Sequence, residues 1–360
     1  MKIITVVGAR PQFIKAAALS RELSNTNNIN EIIIHTGQHF DENMSEIFFR
    51  EMSIPKPNYK FNINNLGHGA MTGRMLEHIE EVILIEKPDF TLVYGDTNST
   101  LAGALAARKL NVPVIHVEAG LRSFNMLMPE EINRILTDRI SSILFCPTSE
   151  SVKNLKKEGF DHFDCTIEMV GDVMQDVAMF YADALDSKNV KYNYALHERE
   201  PYILCTIHRQ ENTDNPEILK SILETLDLLP TTLNVLIPIH PRTQKKIENL
   251  DINLQRVELI EPQGYFDMIQ LIRNASFIMT DSGGLQKEAF FFGKFCITLR
   301  EETEWTELVL NGFNQLVGAN PEKIISAVQN ILNKSSKDFS IDLYGGGKAA
   351  KRITNFLNSL

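Results

Sequence analysis

Residues 277–294, FIMTDSGGLQKEAFFFGK, contain the residue types whose spacing points most directly to chemistry. An apolar run precedes Ser282, Gly283 and Gly284, and a helix-forming stretch with Glu288 follows. Glycines let a ligand approach the backbone, the serine offers a hydroxyl, and the free N–H groups of a helix start attract anions. The segment therefore predicts an anion cradle that suits a phosphate group. The alternative is an ordinary turn between strand and helix, capped by Ser282.

A cationic loop near the start of the sequence is the second candidate for anion binding. Gly8-Ala9-Arg10-Pro11 follows an apolar run, and Pro11 falls near the first helical position, where its missing N–H costs nothing. The planar guanidinium of Arg10 suits a two-pronged contact with phosphate. Lys15 lies on the first turns of the same predicted helix. Both cations are therefore candidate ligand contacts, and an ordinary surface position is the alternative for each.

Three carboxylates in the first half of the chain are candidates for moving a proton. Asp96 follows one predicted strand, Glu118 ends a very apolar one, and Glu130 precedes a helical pattern. Desolvation of Glu118 would raise its proton affinity toward the range that a general acid or base needs near neutral pH. Two alternatives stay open, namely Asp96 as a helix cap and Glu130 as an ion-pair partner of Arg134, four residues later.

The second half of the chain adds His208, which follows a predicted strand directly and can donate to phosphate or carry a proton. Acid–base groups in one half and an anion cradle in the other indicate chemistry on a sugar or similar group attached to a nucleotide. No G-x-G-x-x-G pattern follows the first strand, which disfavours a tightly bound nicotinamide. No set of His, Asp and Glu has metal-ligand spacing. We therefore expect neither a cofactor nor a metal.

Short β-rich runs alternate with helical patterns along the chain and must position these residues. The predicted strands are residues 3–7, 31–35, 90–94, 114–117, 143–146, 166–170, 202–207, 234–239, 256–260, 277–279 and 295–298. The predicted helices include residues 12–24, 99–109, 131–140, 216–228 and 284–292. Strands that are apolar on both faces predict an α/β protein with two parallel, doubly wound sheets. Right-handed crossovers then bring the ends of the strands to one edge of each sheet.

Each half of the chain opens with a strand, a cationic loop and a helix. The sequence therefore predicts two Rossmann-like domains that face each other across a ligand cleft. We expect an N-terminal domain with the acid–base residues over 1–170 and a C-terminal domain with the anion cradle over 171–345. A last helix, 346–360, is expected to pack back on the first domain.

Bulk properties limit the class of protein and its partners. The 360 residues exceed the roughly 250–300 at which single cores stop growing, so two domains are expected. A net charge of −10 argues against nucleic acid or an acidic membrane surface as a partner. Four scattered cysteines suit a reducing compartment, and neither a signal peptide nor an apolar run of membrane-spanning length is apparent. We expect a cytoplasmic protein.

Taken together, the motifs resemble those of one enzyme family over the whole chain. In order, they are GARPQFIK (8–15), TGQH (36–39), YGDTNST (94–100), VEAGLRS (117–123), PEEINR (129–134), HRQEN (208–212), HPR (240–242), TDSGG (280–284) and YGGGKA (344–349). This set is similar to that of the non-hydrolysing UDP-N-acetylglucosamine 2-epimerases. The resemblance implies a glycosyltransferase-B type fold, a UDP-sugar substrate and a homodimer, with no cofactor, metal, nucleic acid or membrane.

The resemblance also implies a reaction, inversion at C2 of a UDP-linked 2-acetamido sugar. UDP is eliminated anti to give a 2-acetamidoglycal and is then re-added, with the C2 proton delivered to the other face. The implied catalytic residues are Asp96, Glu118, Glu130 and His208. The implied UDP-binding residues are Arg10, Lys15, Arg134, Ser282, Gly283, Gly284, Glu288 and Arg300, with Glu288 on the ribose. Gln38 and His39 match a segment that in some bacterial members helps hold a second, activating UDP-GlcNAc.

One position departs from the commonest family pattern. UDP-GlcNAc epimerases read T-E-R-P-E after the phosphate cradle, whereas Trp305 stands here in place of the arginine. Trp305 cannot supply the charge, so we expect Arg300 or His208 to compensate. The T-E-W variant resembles the branch that acts on UDP-2,3-diacetamido-2,3-dideoxy-glucuronate for surface polysaccharides. The alternatives are a UDP-GlcNAc 2-epimerase proper, a glycosyltransferase of the same fold, and a non-catalytic nucleotide-sugar sensor.

Overall fold

The computed structural model describes residues 1–38, 55–188, 201–239, 241–333 and 337–360. These residues form two compact units, Met1–Val177 with Asp342–Leu360, and Ala178–Ile341. They are called the first unit and the second unit below. The domain limits predicted from the sequence, 1–170, 171–345 and 346–360, stay a prediction, because a compact unit is not by itself a functional domain.

A parallel sheet with the strand order β3-β2-β1-β4-β5-β6-β7 forms the centre of the first unit. Its strands are β1 (Lys2–Val7), β2 (Asn30–His35), β3 (Tyr59–Lys60), β4 (Phe90–Tyr94), β5 (Val114–Val117), β6 (Ile143–Cys146) and β7 (Thr166–Met169). Its helices are α1 (Arg10–Ser24), α2 (His68–Glu86), α3 (Asn98–Lys109), α4 (Pro129–Ile140), α5 (Ser149–Lys157) and α14 (Ala349–Asn358). Helix α6 (Val173–Lys188) begins in this unit and ends in the second.

The second unit has a parallel sheet with the strand order β10-β9-β8-β11-β12-β13. Its strands are β8 (Tyr202–Thr206), β9 (Asn234–Pro238), β10 (Val257–Ile260), β11 (Phe277–Thr280), β12 (Cys296–Thr298) and β13 (Asn314–Leu316). Its helices are α7 (Gln210–Thr213), α8 (Pro216–Asp227), α9 (Pro241–Glu248), α10 (Tyr265–Asn274), α11 (Gly283–Phe291), α12 (Thr306–Leu310) and α13 (Pro321–Leu332).

Both sheets are covered by helices on both faces, which explains the continuous apolar runs of their strands. Ile203 and Leu204 are neighbours in β8 and point to opposite faces, yet each belongs to a buried apolar cluster. In β1, Ile3, Ile4 and Val6 are all fully buried. The predicted class, α/β with two parallel, doubly wound sheets, is therefore confirmed.

Helix α14 belongs to the first unit although the whole second unit precedes it in the sequence. It packs against α1, and the ring of Phe356 meets Phe145 edge-on with 5.4 Å between ring centroids. Asp176 of α6 caps it, accepting from the backbone N–H groups of Ala349 at 3.0 Å and Ala350 at 2.8 Å. The first unit is thus assembled from two separate stretches of chain.

The strand order places a switch point in each sheet. In the first unit, successive strands are added on one side of β1 and then on the other side from β4 onward. The same change of side occurs between β8 and β11 in the second unit. In open α/β sheets, ligands bind beyond the carboxyl ends of the strands at such points. The predicted site residues Arg10 and Asp96 follow β1 and β4, and His208 and Ser282 follow β8 and β11. In each unit, the predicted residues therefore follow the strands that flank its own switch point.

Candidate active site

The loop after β1 lies so close to α3 that only glycine fits at its start. A Cβ on Gly8 would come within 2.1 Å of both Ser99 Oγ and Thr36 Oγ1. Gln12 fixes this loop, because its Oε1 accepts from the Gly8 N–H at 2.8 Å and its Nε2 donates to the Tyr94 carbonyl at 3.0 Å. The exits of β1 and β4 are thereby joined by one buried side chain. Gln12 was not among the residues predicted from the sequence.

Lys15 and Glu118, predicted separately, form a buried ion pair. The Lys15 ammonium hydrogen-bonds Glu118 Oε2, and the two residues are 9% and 8% exposed. Gly95 leaves room for the pair, since a Cβ there would lie 3.2 Å from each of the paired atoms. Arg10 is the first residue of α1, and its side chain lies outside the described part of the structure.

Asp96 and Arg134 form a second ion pair in the first unit. The buried guanidinium of Arg134 hydrogen-bonds Asp96 Oδ2 and also donates to Glu131 Oε2 at 3.0 Å. Thr97 caps α3 with its own side chain, so the helix-cap alternative for Asp96 is wrong. Glu130, in the first turn of α4, is exposed.

Gln38, in the loop that follows β2, hydrogen-bonds the N-terminal turn of α3. Its Oε1 accepts from Ser99 N at 3.1 Å and from Ser99 Oγ at 2.7 Å. His39 lies outside the described residues. The role predicted for these two residues, in binding a second UDP-GlcNAc, stays a prediction.

In the second unit, the residues of the predicted cradle stand at the N-terminus of α11. Ser282 is the N-cap, with Oγ 3.5 Å from the Leu285 N–H, and the helix begins at Gly283. A Cβ on Gly283 would lie 2.4 Å from Glu304 Oε1, so a larger residue there would require the Glu304 side chain to shift. Glu288, also on α11, is 8% exposed. The serine is thus a helix cap, and the free N–H groups of the first helical turn are the feature that attracts anions.

Asp281 orients His208, a relationship the sequence analysis did not foresee. Asp281 is fully buried, and its carboxylate lies 3.1 Å from His208 Nδ1. It also accepts from the backbone N–H groups of His208 at 3.1 Å and Arg209 at 3.0 Å, and from Asn212 Nδ2 at 3.0 Å. The imidazole is half-exposed. With Nδ1 facing the carboxylate, Nε2 is the ring atom that remains for a ligand.

Trp305 and Arg300 are both buried, at 3% exposure each. The Trp305 ring lies under the ammonium of Lys287, 3.9 Å from the ring centroid, and Lys287 itself is 1% exposed. Arg300 Nη1 donates to Glu304 Oε2 at 3.0 Å. Lys287 is therefore the cation beside the position where the commonest family pattern has arginine. The expected contact of Arg300 with the diphosphate stays a prediction.

A family model described as UDP-N-acetylglucosamine 2-epimerase matches residues 21–358. The chain belongs to the UDP-N-acetylglucosamine 2-epimerase family. The resemblance of its motifs to this family, and the isomerase class that the resemblance implies, are confirmed.

Individual members of the 2-epimerase family match over their full length. UDP-2,3-diacetamido-2,3-dideoxy-D-glucuronate 2-epimerase of Pseudomonas aeruginosa is 54% identical over 361 residues, covering 100% of both chains. The crystal structure of Methanocaldococcus jannaschii UDP-GlcNAc 2-epimerase in complex with UDP-GlcNAc and UDP matches with a TM-score of 0.90 at 43% identity. That of Neisseria meningitidis UDP-GlcNAc 2-epimerase bound to UDP-GlcNAc matches with a TM-score of 0.91 at 33% identity. Each of these two matches covers 100% of this chain and 100% of the chain in the crystal structure. They confirm the predicted glycosyltransferase-B type fold.

The described residues of this 2-epimerase family member form neither a metal-binding cluster nor a membrane-spanning helix. No group of three or more His, Cys, Asp or Glu side chains in those residues is arranged to hold a metal ion. None of the helices formed by the same residues is both long enough and apolar enough to cross a membrane.

Proposed function

We propose that the protein inverts C2 of a UDP-linked 2-acetamido sugar, with UDP-2,3-diacetamido-2,3-dideoxy-glucuronate as substrate and its manno epimer as product. The observation that carries the proposal is the buried Lys15–Glu118 pair beside Gly95, at the switch point of a chain in this family. The substrate follows from the 54% identity to the P. aeruginosa enzyme of that name, against 43% to the M. jannaschii UDP-GlcNAc enzyme. UDP-GlcNAc is the alternative substrate.

The proposed reaction needs a carboxylate that takes the C2 proton and an acid that returns one to the opposite face. We assign the role of base to Glu118, which lies beside the Lys15 ammonium in a buried ion pair. Asp96, paired with Arg134, and the exposed Glu130 complete the set of candidate acids and bases. Loss of the C2 proton forms the C1–C2 double bond as the C1–O bond breaks. Re-addition of the same UDP oxygen to C1 reverses these changes after C2 is protonated.

We assign the binding of the leaving group, UDP, to residues of the second unit, and we assign a further contact with UDP to Arg10. The N–H groups that begin α11, together with Ser282 and the Nε2 of His208, are suited to the negative charge that grows on UDP as the bond breaks. Glu288 is assigned to the ribose. Holding UDP through the intermediate is essential, because its escape would leave the 2-acetamidoglycal to be released or to add water at C1 in place of UDP.

The decisive test is NMR of the purified protein in D₂O with the diacetamido uronate and, separately, with UDP-GlcNAc. We expect the manno epimer of the uronate, deuterium at C2 of the product and no accumulation of free UDP. Conversion of UDP-GlcNAc alone would assign the alternative substrate. Free UDP formed in step with turnover, or binding with no C2 exchange, would contradict the proposal and favour a hydrolase or a sensor.

The Glu118→Gln variant tests the assignment of the base. We expect C2 exchange to fall about 100- to 10,000-fold, the range that general base catalysis contributes. UDP should still bind, as measured by calorimetry. Glu77→Gln, an exposed position on α2, is the matched control and should turn over normally. Unchanged turnover in Glu118→Gln would remove this residue from the mechanism.

We further propose that the enzyme acts in the cytoplasm as a homodimer and supplies a sugar for surface polysaccharide. The location rests on the scattered free cysteines and the net charge of −10, and the dimer and the polysaccharide role rest on the resemblance to the family. Light scattering should give twice the chain mass of 40.8 kDa. A mass of one chain at micromolar concentration would contradict the dimer.

A further inference from the structure

A buried polar pair lies directly behind the exits of β4 and β5. His116 of β5 and Asp138 of α4 are both fully buried, with 2.7 Å between His116 Nδ1 and Asp138 Oδ1. The other ring nitrogen of His116, Nε2, lies 2.8 Å from the carbonyl oxygen of Gly95. A carboxylate and a carbonyl are hydrogen-bond acceptors, so both ring nitrogens of His116 face acceptors and the imidazole is held on two sides.

Asp138 is the centre of this cluster of hydrogen bonds. Burial alone would raise the pKa of Asp138, but the hydrogen bond and the charge of His116, together with the charge of Arg122, bring it below its ordinary value. Its second oxygen accepts from Arg122 Nη1 at 2.7 Å and from the backbone N–H of Gly120 at 3.1 Å. All donors to this carboxylate therefore come from the segment that contains Glu118.

The geometry of Glu118 explains why such an anchor is needed. Its φ of +72° lies in the left-handed region, which costs a residue with a side chain about 1–2 kcal/mol unless the surroundings hold it. His116 and Gly120 stand two residues before and two after Glu118, and both are bonded to Asp138. One carboxylate thus clamps the strained turn from both sides.

The same pair reaches the second proposed carboxylate through the backbone. The Gly95 carbonyl that His116 binds belongs to the peptide that leads directly into Asp96. Gly95 also donates its N–H to the Val117 carbonyl at 3.0 Å, which ties the two strand exits together. We propose that His116 and Asp138 are positioning residues that fix Asp96 and Glu118 relative to each other. This proposal rests on the acid–base roles given to those two carboxylates under the proposed function.

The test compares His116→Gln and Asp138→Asn with Glu158→Gln. Glu158 accepts hydrogen bonds from Arg122 Nε and Nη2, each at 2.7 Å. These bonds involve neither the turn at Glu118 nor the turn at Asp96, so Glu158 is the matched control within the same network. For the two test variants we expect kcat and C2 deuterium exchange to fall about 100-fold, the size of effect that a displacement of about 1 Å produces. KM and the Kd for UDP should change less than about threefold, and Glu158→Gln should keep wild-type kcat.

Each outcome decides the proposal. A kcat within threefold of wild type in both folded test variants would overturn it, and so would a loss of folding in both, which would assign the pair to stability alone. Assays are run well below the melting temperature of each variant so that turnover reports on folded protein. The proposed function itself is tested with the wild-type protein. It fails if wild-type protein neither epimerises nor exchanges the C2 hydrogen of any UDP-2-acetamido sugar, a result that does not depend on the variants.

Discussion

His208 Nδ1 lies 3.1 Å from the buried carboxylate of Asp281, and this contact fixes which ring nitrogen can meet a ligand. Asp281 follows β11 and His208 follows β8, so the contact crosses the switch point of the second sheet. A carboxylate behind an imidazole sets both its orientation and its tautomer. The histidine is therefore one half of a dyad rather than an isolated loop residue.

The first prediction follows from that dyad. Asp281→Asn keeps the shape of the side chain but turns an amide NH₂ toward backbone N–H donors. We expect it to lower kcat about 100-fold, and we expect the same loss in His208→Gln. Because the two residues act as a unit, the double variant should lose little more than either single one. Steady-state kinetics of the three variants checks this. Asp214→Asn, an exposed carboxylate in the same unit, is the control. Additive losses would show that the residues act independently.

The second prediction uses two glycines with opposite surroundings. A Cβ on Gly8 would overlap the hydroxyls of Ser99 and Thr36, so Gly8→Ala should destabilise the fold by about 1–3 kcal/mol. Gly73, inside α2, has no atom within 4 Å of a Cβ, and Gly73→Ala should stabilise by about 0.5–1 kcal/mol. Urea unfolding of both variants measures the two free energies. Equal effects would contradict the close approach at Gly8.

The third prediction concerns pH. Burial raises the pKa of Asp176 to about 6, although hydrogen bonds from Ala350 and Ala349 oppose the shift. Between about pH 4 and 6 the folded protein keeps a proton that the unfolded chain has released. The free energy of unfolding therefore falls as pH rises through this window, by up to about 3 kcal/mol.

Asp176→Asn, which cannot ionise, should lack this component. In urea unfolding, the free energy of unfolding of wild type relative to that of Asp176→Asn should be larger at pH 4.5 than at pH 7. Asp183→Asn, an exposed position on the same helix, should follow the wild-type profile. Parallel profiles for wild type and Asp176→Asn would refute the assignment.

The fourth prediction concerns the substitution that sets this chain apart. Trp305→Arg would place a guanidinium against the buried ammonium of Lys287, and we expect a loss of about 3 kcal/mol or more in stability. Adding Lys287→Glu should recover most of that loss, because the pair then has opposite charges. Thermal and urea unfolding of the single and double variants form a double-mutant cycle. A stable Trp305→Arg single variant would show that Lys287 can move away.

The sequence predicted the sheets well because their strands are buried on both faces. The runs at β4, β5 and β6 are apolar apart from Thr91 and His116, and the structure has them at the predicted bounds. Strands β3 and β13 were missed. They contain only two and three residues, and a stretch that short, partly polar in the case of β13, has no period to detect.

The partners of the site residues were beyond reach from the sequence. Each predicted residue was recognised by its place after a strand or by a motif, which are local features. Gln12 contacts a residue 82 positions away, and His116 and Asp138 are 22 positions apart. Such contacts depend on which strands become neighbours. Asp281 stood inside a motif already singled out, and its position between a strand and a helix cap was the one local clue.

The division of the first unit into two stretches of chain has a consequence for synthesis on the ribosome. Residues 178–341 can complete their own sheet as they emerge, whereas α1 waits for α14, which is made after them. Residues 25–348 separate the two helices, so at roughly 5–20 residues per second the wait is on the order of tens of seconds. Over that interval the apolar face of α1 is open to chaperones. A chain cut short before α14 leaves the unit that contains Lys15 and Glu118 unfinished.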